Sequence, residues 1–303
     1  MRFSIWPSAN QPWADVLGTA RHAESTGWDG VWVADHFMAA GGPGAPSETP
    51  TLEAGTLVAA LGALVPRVAI GTLVYGTTYR HPAVVANMAA AADHVSGGRF
   101  RLGLGAGWQV NEHAAYGIDL PPAAQRVDRF AEAIQVVRSL LREERTTFAG
   151  RWFRLADAVC EPKPVGDLPI LVGTSGDRML GITARWADAW NTWGHPDHIA
   201  ERSAALTRAC EAAGRDPDAV ARTAQALVFM AGEGEGAAEI ERRVERAPMP
   251  AVGGTVEQLR DVVAAYAEAG VDELIVPDRT LGRGDAKLEA MDRYIEEVAA
   301  AFR

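Results

Sequence analysis

The chain has 303 residues, of which 48% are hydrophobic and 22% charged, a composition that excludes an intrinsically disordered protein. A net charge of −10 opposes broad electrostatic attraction to nucleic acid or to anionic lipid, so neither is an expected partner. Residues 1–7 are too short an apolar run for a signal peptide, and no apolar stretch of about 18 residues could span a bilayer, so we expect a cytoplasmic protein.

Strand patterns alternate with helical patterns along the whole chain. The predicted strands cover residues 2–7, 30–34, 68–75, 100–107, 169–172, 189–193, 223–231 and 273–276. Between and after them, helices are predicted over residues 12–26, 52–64, 82–95, 126–143, 177–186, 196–213 and 256–269, with a terminal helix from about residue 287. Eight strands close the common parallel barrel, so the sequence predicts an α/β fold, a (β/α)8 TIM barrel, as one domain over residues 1–303.

Three segments do not fit the repeating pattern and are expected to be small insertions on the barrel. Residues 39–50 are rich in Gly, Pro and Ala and indicate an exposed loop or a lid. Residues 147–153 resemble a small hairpin, and residues 232–254 form the most irregular stretch. Substrate specificity is expected to lie in residues 39–50, in residues 232–250 and at Trp108.

Polar residues follow the second predicted strand, where Asp35 is followed by His36. The loops after the strands of a parallel barrel form one rim, so an imidazole there would point into the mouth. The adjacent carboxylate could orient the ring or raise its pKa. Glu53, at the start of the next helix, could face the same cavity, although a first-turn carboxylate favoured by the helix dipole is the slightly stronger interpretation.

Glycines occupy every second position at the end of the fourth predicted strand, at Gly103, Gly105 and Gly107. Alternate residues of a strand share a face, so this face lacks side chains and could let a ligand lie close; tight packing inside the barrel is the alternative. The spacing is not a dinucleotide-binding fingerprint. Asn111 and Glu112 follow shortly after, where helix-start residues are equally expected.

A short polar loop follows the fifth predicted strand. Backbone N–H groups at a helix start, two hydroxyls and a guanidinium would suit a phosphate, and an ordinary capped loop is the alternative. The residues concerned are Gly173, Thr174, Ser175, Gly176 and Arg178.

Four of the nine tryptophans fall at or near strand ends, where indoles could line a flat apolar slot or could simply pack in the core. They are Trp6, Trp108, Trp190 and Trp193. The two cysteines, Cys160 and Cys210, lack any metal-ligand or disulfide spacing, and no His, Asp or Glu set has metal-ligand spacing either. No metal is expected.

Taken together, several short motifs resemble the bacterial luciferase-like superfamily, and most closely its branch of deazaflavin-dependent oxidoreductases, which use coenzyme F420. Each motif is weak by itself, but their order and spacing match over nearly the full length. The motifs begin at Asp35-His36-Phe37, Leu52-Glu53, Ile70, Tyr79-Arg80-His81-Pro82, Ser96-Gly97-Gly98-Arg99, Gly103, Asn111-Glu112 and Ala187-Asp188-Ala189-Trp190-Asn191.

The resemblance implies a deazaflavin or flavin in the mouth of the barrel, with its ribityl phosphate near the loop after the fifth strand. It implies a cis peptide bond between Leu73 and Val74, forming a bulge behind the ring system. It places Asp35 and His36 at the reactive face, with His36 as proton donor or acceptor. By the same resemblance the cofactor contacts are Asp35, Leu73, Val74, Gly105, Gly107, Trp108, Asn111, Gly173, Thr174, Ser175, Gly176 and Arg178.

One departure bears on the substrate. Sugar-phosphate dehydrogenases of this family have a glutamate directly after the strand-four glycines, where this chain has Trp108, so phosphorylated glucose is a poor candidate and Glu53 would have to supply the acid. The first hypothesis is an F420-dependent oxidoreductase acting on a small, largely apolar carbonyl, imine, alcohol or enone. The alternative is a monooxygenase that uses reduced FMN and dioxygen.

Two further hypotheses come from other classes of protein. A metal-dependent hydrolase would usually need His-x-His on the first strand, which the chain lacks. A cofactor-binding protein without catalytic activity stays open. A homodimer is expected by analogy with other barrels of this type.

Overall fold

The computed structural model describes residues 1–41, 45–232 and 234–303. The strands are β1 (Arg2–Trp6), β2 (Gly30–Val33), β3 (Ala69–Thr72), β4 (Tyr75–Gly76), β5 (Phe100–Gly105), β6 (Thr146–Ala149), β7 (Arg154–Ala158), β8 (Ile170–Gly173), β9 (Ala189–Trp193), β10 (Ala221–Gln225), β11 (Leu227–Met230), β12 (Ala251–Gly254) and β13 (Glu273–Pro277). The α-helices are α1 (Trp13–Thr26), α2 (Ala54–Leu64), α3 (Pro82–Ser96), α4 (Val110–Tyr116), α5 (Ala123–Arg142), α6 (Asp177–Trp186), α7 (Pro196–Ala212), α8 (Ala237–Glu245), α9 (Val256–Glu268) and α10 (Asp285–Arg293).

Eight parallel strands close into a barrel, in the order β1, β2, β3, β5, β8, β9, β10 and β13. The pairing of β1 with β13 completes the ring, and the pairing of β3 with β5 passes over the short strand β4. The structure confirms the predicted (β/α)8 barrel, and each predicted strand supplies one barrel strand. Among the described residues, no helix has the length and apolarity needed to cross a membrane.

Local sequence signals set the helix boundaries. Gly27 and Gly97 end α1 and α3 with φ angles of 91° and 66°, in the left-handed region that glycine adopts most readily. Pro82 is the first residue of α3, where a missing N–H group costs nothing because that group has no helical partner.

The two faces of the barrel strands have different surroundings. Outward side chains such as Phe3, Ile5 and Leu102 pack under the helices in the main hydrophobic core. The inward side chains Trp32, Leu73, Leu171 and Ile275 form a separate cluster inside the barrel. The loops that follow the C-terminal ends of the barrel strands form the rim beyond this cluster.

The structure differs from the prediction mainly in the last third of the chain. Residues 223–231 were predicted as one strand, but the chain leaves the barrel at Ala226, and β11 pairs instead with β12. The stretch predicted to be irregular contains α8 and β12; position 233 within it lies outside the described residues. The hairpin forms from β6 and β7, longer than predicted. The single-domain organisation stays a prediction.

Residues 39–50 contain no helix or strand in their described part, which agrees with the predicted loop. Positions 42–44 of this loop lie outside the described residues. Both cysteines are buried, as expected for small apolar residues of the interior.

Candidate active site

The peptide bond between Leu73 and Val74 is cis, as the resemblance implied. It lies between β3 and β4, and it places Leu73 in the cluster inside the barrel and Val74 at its edge, partly exposed. Val74 is therefore positioned to contact a molecule that enters the barrel mouth.

The glycines of the fourth predicted strand, which is β5 in the structure, do not form an open face. The expectation that a ligand lies directly against this face is therefore wrong. A Cβ atom on Gly103 would lie 1.9 Å from the carbonyl oxygen of Thr72, and one on Gly105 would lie 2.6 Å from Val74 Cγ2. A Cβ atom on Gly173 would lie 3.1 Å from Val74 Cγ1. The glycines thus make space for the backbone of residue 72 and for the Val74 side chain.

His36 lies at the rim, after β2, with 26% of its side chain exposed. Its Nδ1 atom lies 2.7 Å from Oε1 of Glu112, a residue of α4 whose side chain is fully buried. An ionised carboxylate only accepts hydrogen bonds, so Nδ1 carries the proton and Nε2 holds the lone pair in the neutral ring. No described residue bonds to Nε2. The imidazole can therefore take up or release a proton at that atom.

Glu112 connects several parts of the rim. Its carboxylate also accepts hydrogen bonds from the Tyr79 hydroxyl and from the backbone N–H groups of Phe37 and Met38, the latter two at 2.7 and 3.3 Å. Burial disfavours the charge, but the bonds from His36, Tyr79 and Phe37 outweigh it and hold the pKa of Glu112 below its ordinary value. Glu112 is thus anionic at neutral pH and fixes the orientation of the imidazole.

Asp35 does not orient His36, which corrects the interpretation made from their adjacency. Its buried carboxylate forms a bidentate pair with Arg80, at 2.7 and 3.0 Å, and accepts the N–H of Gly76 at 3.0 Å. The side chain is enclosed, so it does not border the mouth either. Asp35 instead ties the loop after β2 to the loop after β4.

Glu53 is the N-cap of α2. Its carboxylate accepts hydrogen bonds from the N–H groups of Gly55 and Thr56, at 2.8 and 2.7 Å, and from Arg80 at 2.6 Å. Burial opposes ionisation, but the Thr56 and Gly55 bonds outweigh it and lower the pKa of Glu53. A carboxylate that is ionised and fully bonded is a poor acid, so the geometry favours the capping role over the catalytic one.

Two of the four tryptophans reach the mouth and one lies at the rim. The ring of Trp6 packs against the cluster inside the barrel, and the ring of Trp193 lies 5.7 Å from it. Trp108 is 60% exposed, and its ring meets that of His36 edge-on at 5.4 Å. Trp190 points outward instead, into a cluster beneath α6 and α7, so of its two interpretations the structure supports packing in the core.

The polar loop after β8 is exposed or half-exposed from Gly173 to Gly176. Thr174 Oγ1 accepts the N–H of Gly176 at 3.2 Å, and no side chain caps the start of α6. Arg178 points to Asp128, at 2.6 Å, rather than into the loop. The backbone N–H groups of this helix start are available to an anion, while Arg178 would have to leave Asp128 to join them.

Asn111 is buried, and its amide nitrogen donates to the carbonyl of Ala39 at 3.0 Å. Its Oδ1 atom has no partner among the described residues. Asn111 therefore supports the start of the 39–50 loop and keeps one acceptor free. Within the described residues, no group of three or more His, Cys, Asp or Glu side chains could hold a metal ion.

Sequence reasoning missed Glu112 as the partner of His36 and missed Arg80 as the link between Asp35 and Glu53. Both residues belong to motifs that were recognised, but neither was given a role of its own.

A family model described as luciferase-like monooxygenase matches residues 1–251. The match covers more than half of the chain, and the chain belongs to the luciferase-like monooxygenase family.

Among curated relatives, the chain is 32% identical over 224 residues to F420-dependent hydroxymycolic acid dehydrogenase of Mycobacterium tuberculosis, covering 74% of this chain and 61% of that one. It is 36% identical over 174 residues to F420-dependent glucose-6-phosphate dehydrogenase of Microbacterium testaceum, covering 56% and 49%. The chain thus spans between about half and three fifths of the length of these relatives.

Solved structures share the whole fold at low sequence identity. An F420-dependent secondary alcohol dehydrogenase in complex with an F420-acetone adduct superposes with a TM-score of 0.81 at 20% identity, covering 100% of both chains. Coenzyme F420-dependent tetrahydromethanopterin reductase from Methanopyrus kandleri gives 0.80 at 16% identity, covering 100% and 99%. These similarities confirm the barrel.

Proposed function

We propose that this protein is an F420-dependent oxidoreductase that transfers a hydride between the deazaflavin and a small organic substrate. The observation that carries the proposal is the position of His36, partly exposed at the rim of the barrel and held by a buried, ionised glutamate 2.7 Å away. The names of the two curated relatives support the same class of reaction and cofactor.

The residues of the mouth suit a flat ring system with a phosphate-bearing tail. Trp6, Trp193 and Val74 offer an apolar floor of indole rings and methyl groups. The loop from Gly173 to Gly176 offers the uncapped helix start of α6, where backbone N–H groups and the helix dipole favour a phosphate. Trp108 and Asn111 follow β5, the neighbour of β8 in the barrel, and we assign Leu73, Gly105 and Gly107 a supporting role behind Val74.

F420, when bound, supplies or takes up the hydride at C5 of its ring system. The chain itself handles the proton. With an alcohol, Nε2 of His36 accepts the hydroxyl proton while the adjacent carbon loses its hydride, which yields a carbonyl. With a carbonyl, the imidazolium returns that proton to the oxygen. Glu112 keeps the ring in one orientation and stabilises the imidazolium in both directions.

Exposed apolar side chains near His36 favour an apolar substrate. Trp108, Val110 and Tyr116 are 60%, 50% and 56% exposed, and Tyr116 packs on Phe37 beside His36. Glu53 caps a helix, and Trp108 follows the glycines of β5. The chain therefore has no acid in the place where sugar-phosphate dehydrogenases have one. We therefore propose a small apolar alcohol, ketone, imine or enone rather than a sugar phosphate.

Parallel fluorescence titrations of the protein with F420 and with FMN test the cofactor. We expect F420 to bind at least tenfold more tightly than FMN. Tight binding of FMN alone would instead favour the alternative, a monooxygenase that uses reduced FMN and dioxygen. A panel of secondary alcohols, ketones and enones, followed through the absorbance of F420, then identifies a substrate for the variants below.

Glu53→Gln is expected to keep turnover within about twofold of the wild type, because Glu53 caps a helix and does not handle the proton. Loss of the cap should lower the free energy of unfolding by about 1 kcal/mol. Steady-state rates and urea unfolding check the two parts. A large loss of turnover with an unchanged unfolding curve would restore Glu53 as a catalytic acid.

The homodimer and the cytoplasmic location stay predictions of the sequence.

A further inference from the structure

Gln225, the last residue of β10, is buried with 6% of its surface exposed. Its side chain points into the barrel, because Thr223 and Asn191, which lie on the same face of β10 and β9, are linked to it by hydrogen bonds. Ala189, two residues before Asn191, packs against the cluster inside the barrel, whereas Trp190 packs outside, which fixes the inward face.

A chain of hydrogen bonds determines which way the Gln225 amide is turned. The Thr223 hydroxyl donates to the carbonyl of Trp190 at 3.0 Å, so its oxygen accepts from Asn191 Nδ2 at 2.8 Å. Asn191 Oδ1 therefore faces Gln225 and accepts from Gln225 Nε2 at 3.0 Å. Because each donor and acceptor in the chain is assigned, Oε1 of Gln225 is left as an acceptor.

No described residue donates a hydrogen bond to Gln225 Oε1. Buried polar side-chain atoms are nearly always paired, so an acceptor without a partner requires an explanation. Its position supplies one. Gln225 is paired in register with Trp193, the indole that forms the mouth floor with Trp6. The free oxygen therefore lies at the level of that floor.

We propose that Gln225 Oε1 accepts a hydrogen bond from the molecule that occupies the mouth, which makes Gln225 a binding residue of the active site. This inference rests on the proposed function. The partner is an N–H or O–H donor. Two sources have that chemistry: the imide N–H of the deazaflavin pyrimidinedione ring, and the hydroxyl of an alcohol substrate.

Gln225→Met tests the proposal, because methionine has a similar length and no hydrogen-bonding amide. We expect binding to weaken by about three- to tenfold, the range for one neutral hydrogen bond. If the cofactor is the donor, the Kd of F420 measured by fluorescence rises by that factor. If the substrate is the donor, the Kd is unchanged and the KM for the alcohol rises instead. If neither changes, the proposal is wrong.

Ser203→Ala is the matched control. Ser203 lies on α7 and accepts a hydrogen bond from Arg222, on the outer face of the same strand, at 2.8 Å. The Ser203→Ala substitution should leave both the Kd and the KM unchanged. Gln225→Asn serves if the methionine variant does not fold, because it keeps the amide but withdraws the oxygen from the mouth; the same rise in Kd or KM is expected, and unchanged values overturn the proposal.

The two levels of inference fail in different ways. Wild-type protein that does not bind F420 contradicts the proposed function. Wild-type protein that binds F420, together with a Gln225→Met variant of unchanged Kd and KM, contradicts only the role of Gln225.

Discussion

His36→Asn is expected to lower turnover by about 10²- to 10⁴-fold, the usual contribution of a positioned acid or base. Asparagine can still donate to Glu112, so the rim should keep its shape, but it offers no nitrogen that can take up a proton at neutral pH. Binding of F420 should stay within about twofold of the wild type, because the imidazole handles the proton and the cofactor binds mainly through other residues. Steady-state rates and fluorescence titration measure the two quantities.

His94→Asn is the control for this variant. His94 lies at the end of α3 and bonds to the carbonyl of Lys163 at 2.7 Å, away from the mouth. The His94→Asn variant should have wild-type turnover. If His36→Asn has wild-type turnover as well, His36 is not the proton donor or acceptor, and the proposed mechanism loses its central residue.

Glu112→Gln is expected to lower both turnover and stability. A neutral amide cannot accept from His36, Tyr79 and two backbone N–H groups in the way a carboxylate does, so at least one buried donor loses its partner. A buried group left unpaired costs about 1–3 kcal/mol, and we expect that loss in the free energy of unfolding. The imidazole also loses its fixed tautomer, so turnover should fall by about 10- to 100-fold. The affinity for F420 should change little.

The stability lost in Glu112→Gln should depend on pH in a defined direction. The folded-state pKa of Glu112 is lowered, so its contribution is fully present above the ordinary glutamate pKa of about 4.3 and disappears as the pH falls through the lower, folded value. Urea unfolding of both proteins should therefore show a difference that shrinks as the pH falls below about 4.3, where the carboxylate takes up its proton. A difference that still grows with acid below that pH would contradict the assigned charge.

Glu132→Gln is a matched control because Glu132 also accepts backbone N–H bonds, from residues 151–153 of the β6–β7 hairpin. It should lose stability without losing turnover. Equal losses of turnover in both variants would mean that Glu112 acts only through folding.

The barrel itself could be predicted because its eight strands are short apolar runs separated by helical patterns. The pairing of His36 could not be predicted from adjacency. Neighbouring residues of an extended chain point to opposite sides, so Asp35 and His36 could not face each other. The true partner, Glu112, is 76 residues away, and only the closed barrel brings α4 beside the loop after β2. This alternation of side chains could be seen in the sequence, and it argued against Asp35 as the partner of His36.

The glycines of β5 show a second limit of the sequence. Their spacing correctly indicated a face without side chains, but it did not indicate what fills that face. Val74 comes from the segment between β3 and β4, and the spacing of the glycines carries no information about that segment. The break at Ala226 was missed for a similar reason, because one residue separates β10 from β11 and only the strand that each one pairs with tells them apart.

The contacts of Glu112 also limit how this protein could change its substrate. One carboxylate holds the imidazole and the first backbone N–H groups of the segment that leads into residues 39–50. A mutation that moves this segment to admit a bulkier molecule would also shift the proton-handling group. New specificity is therefore more readily acquired at Trp108, Val110 and Tyr116, whose exposed side chains take no part in those hydrogen bonds.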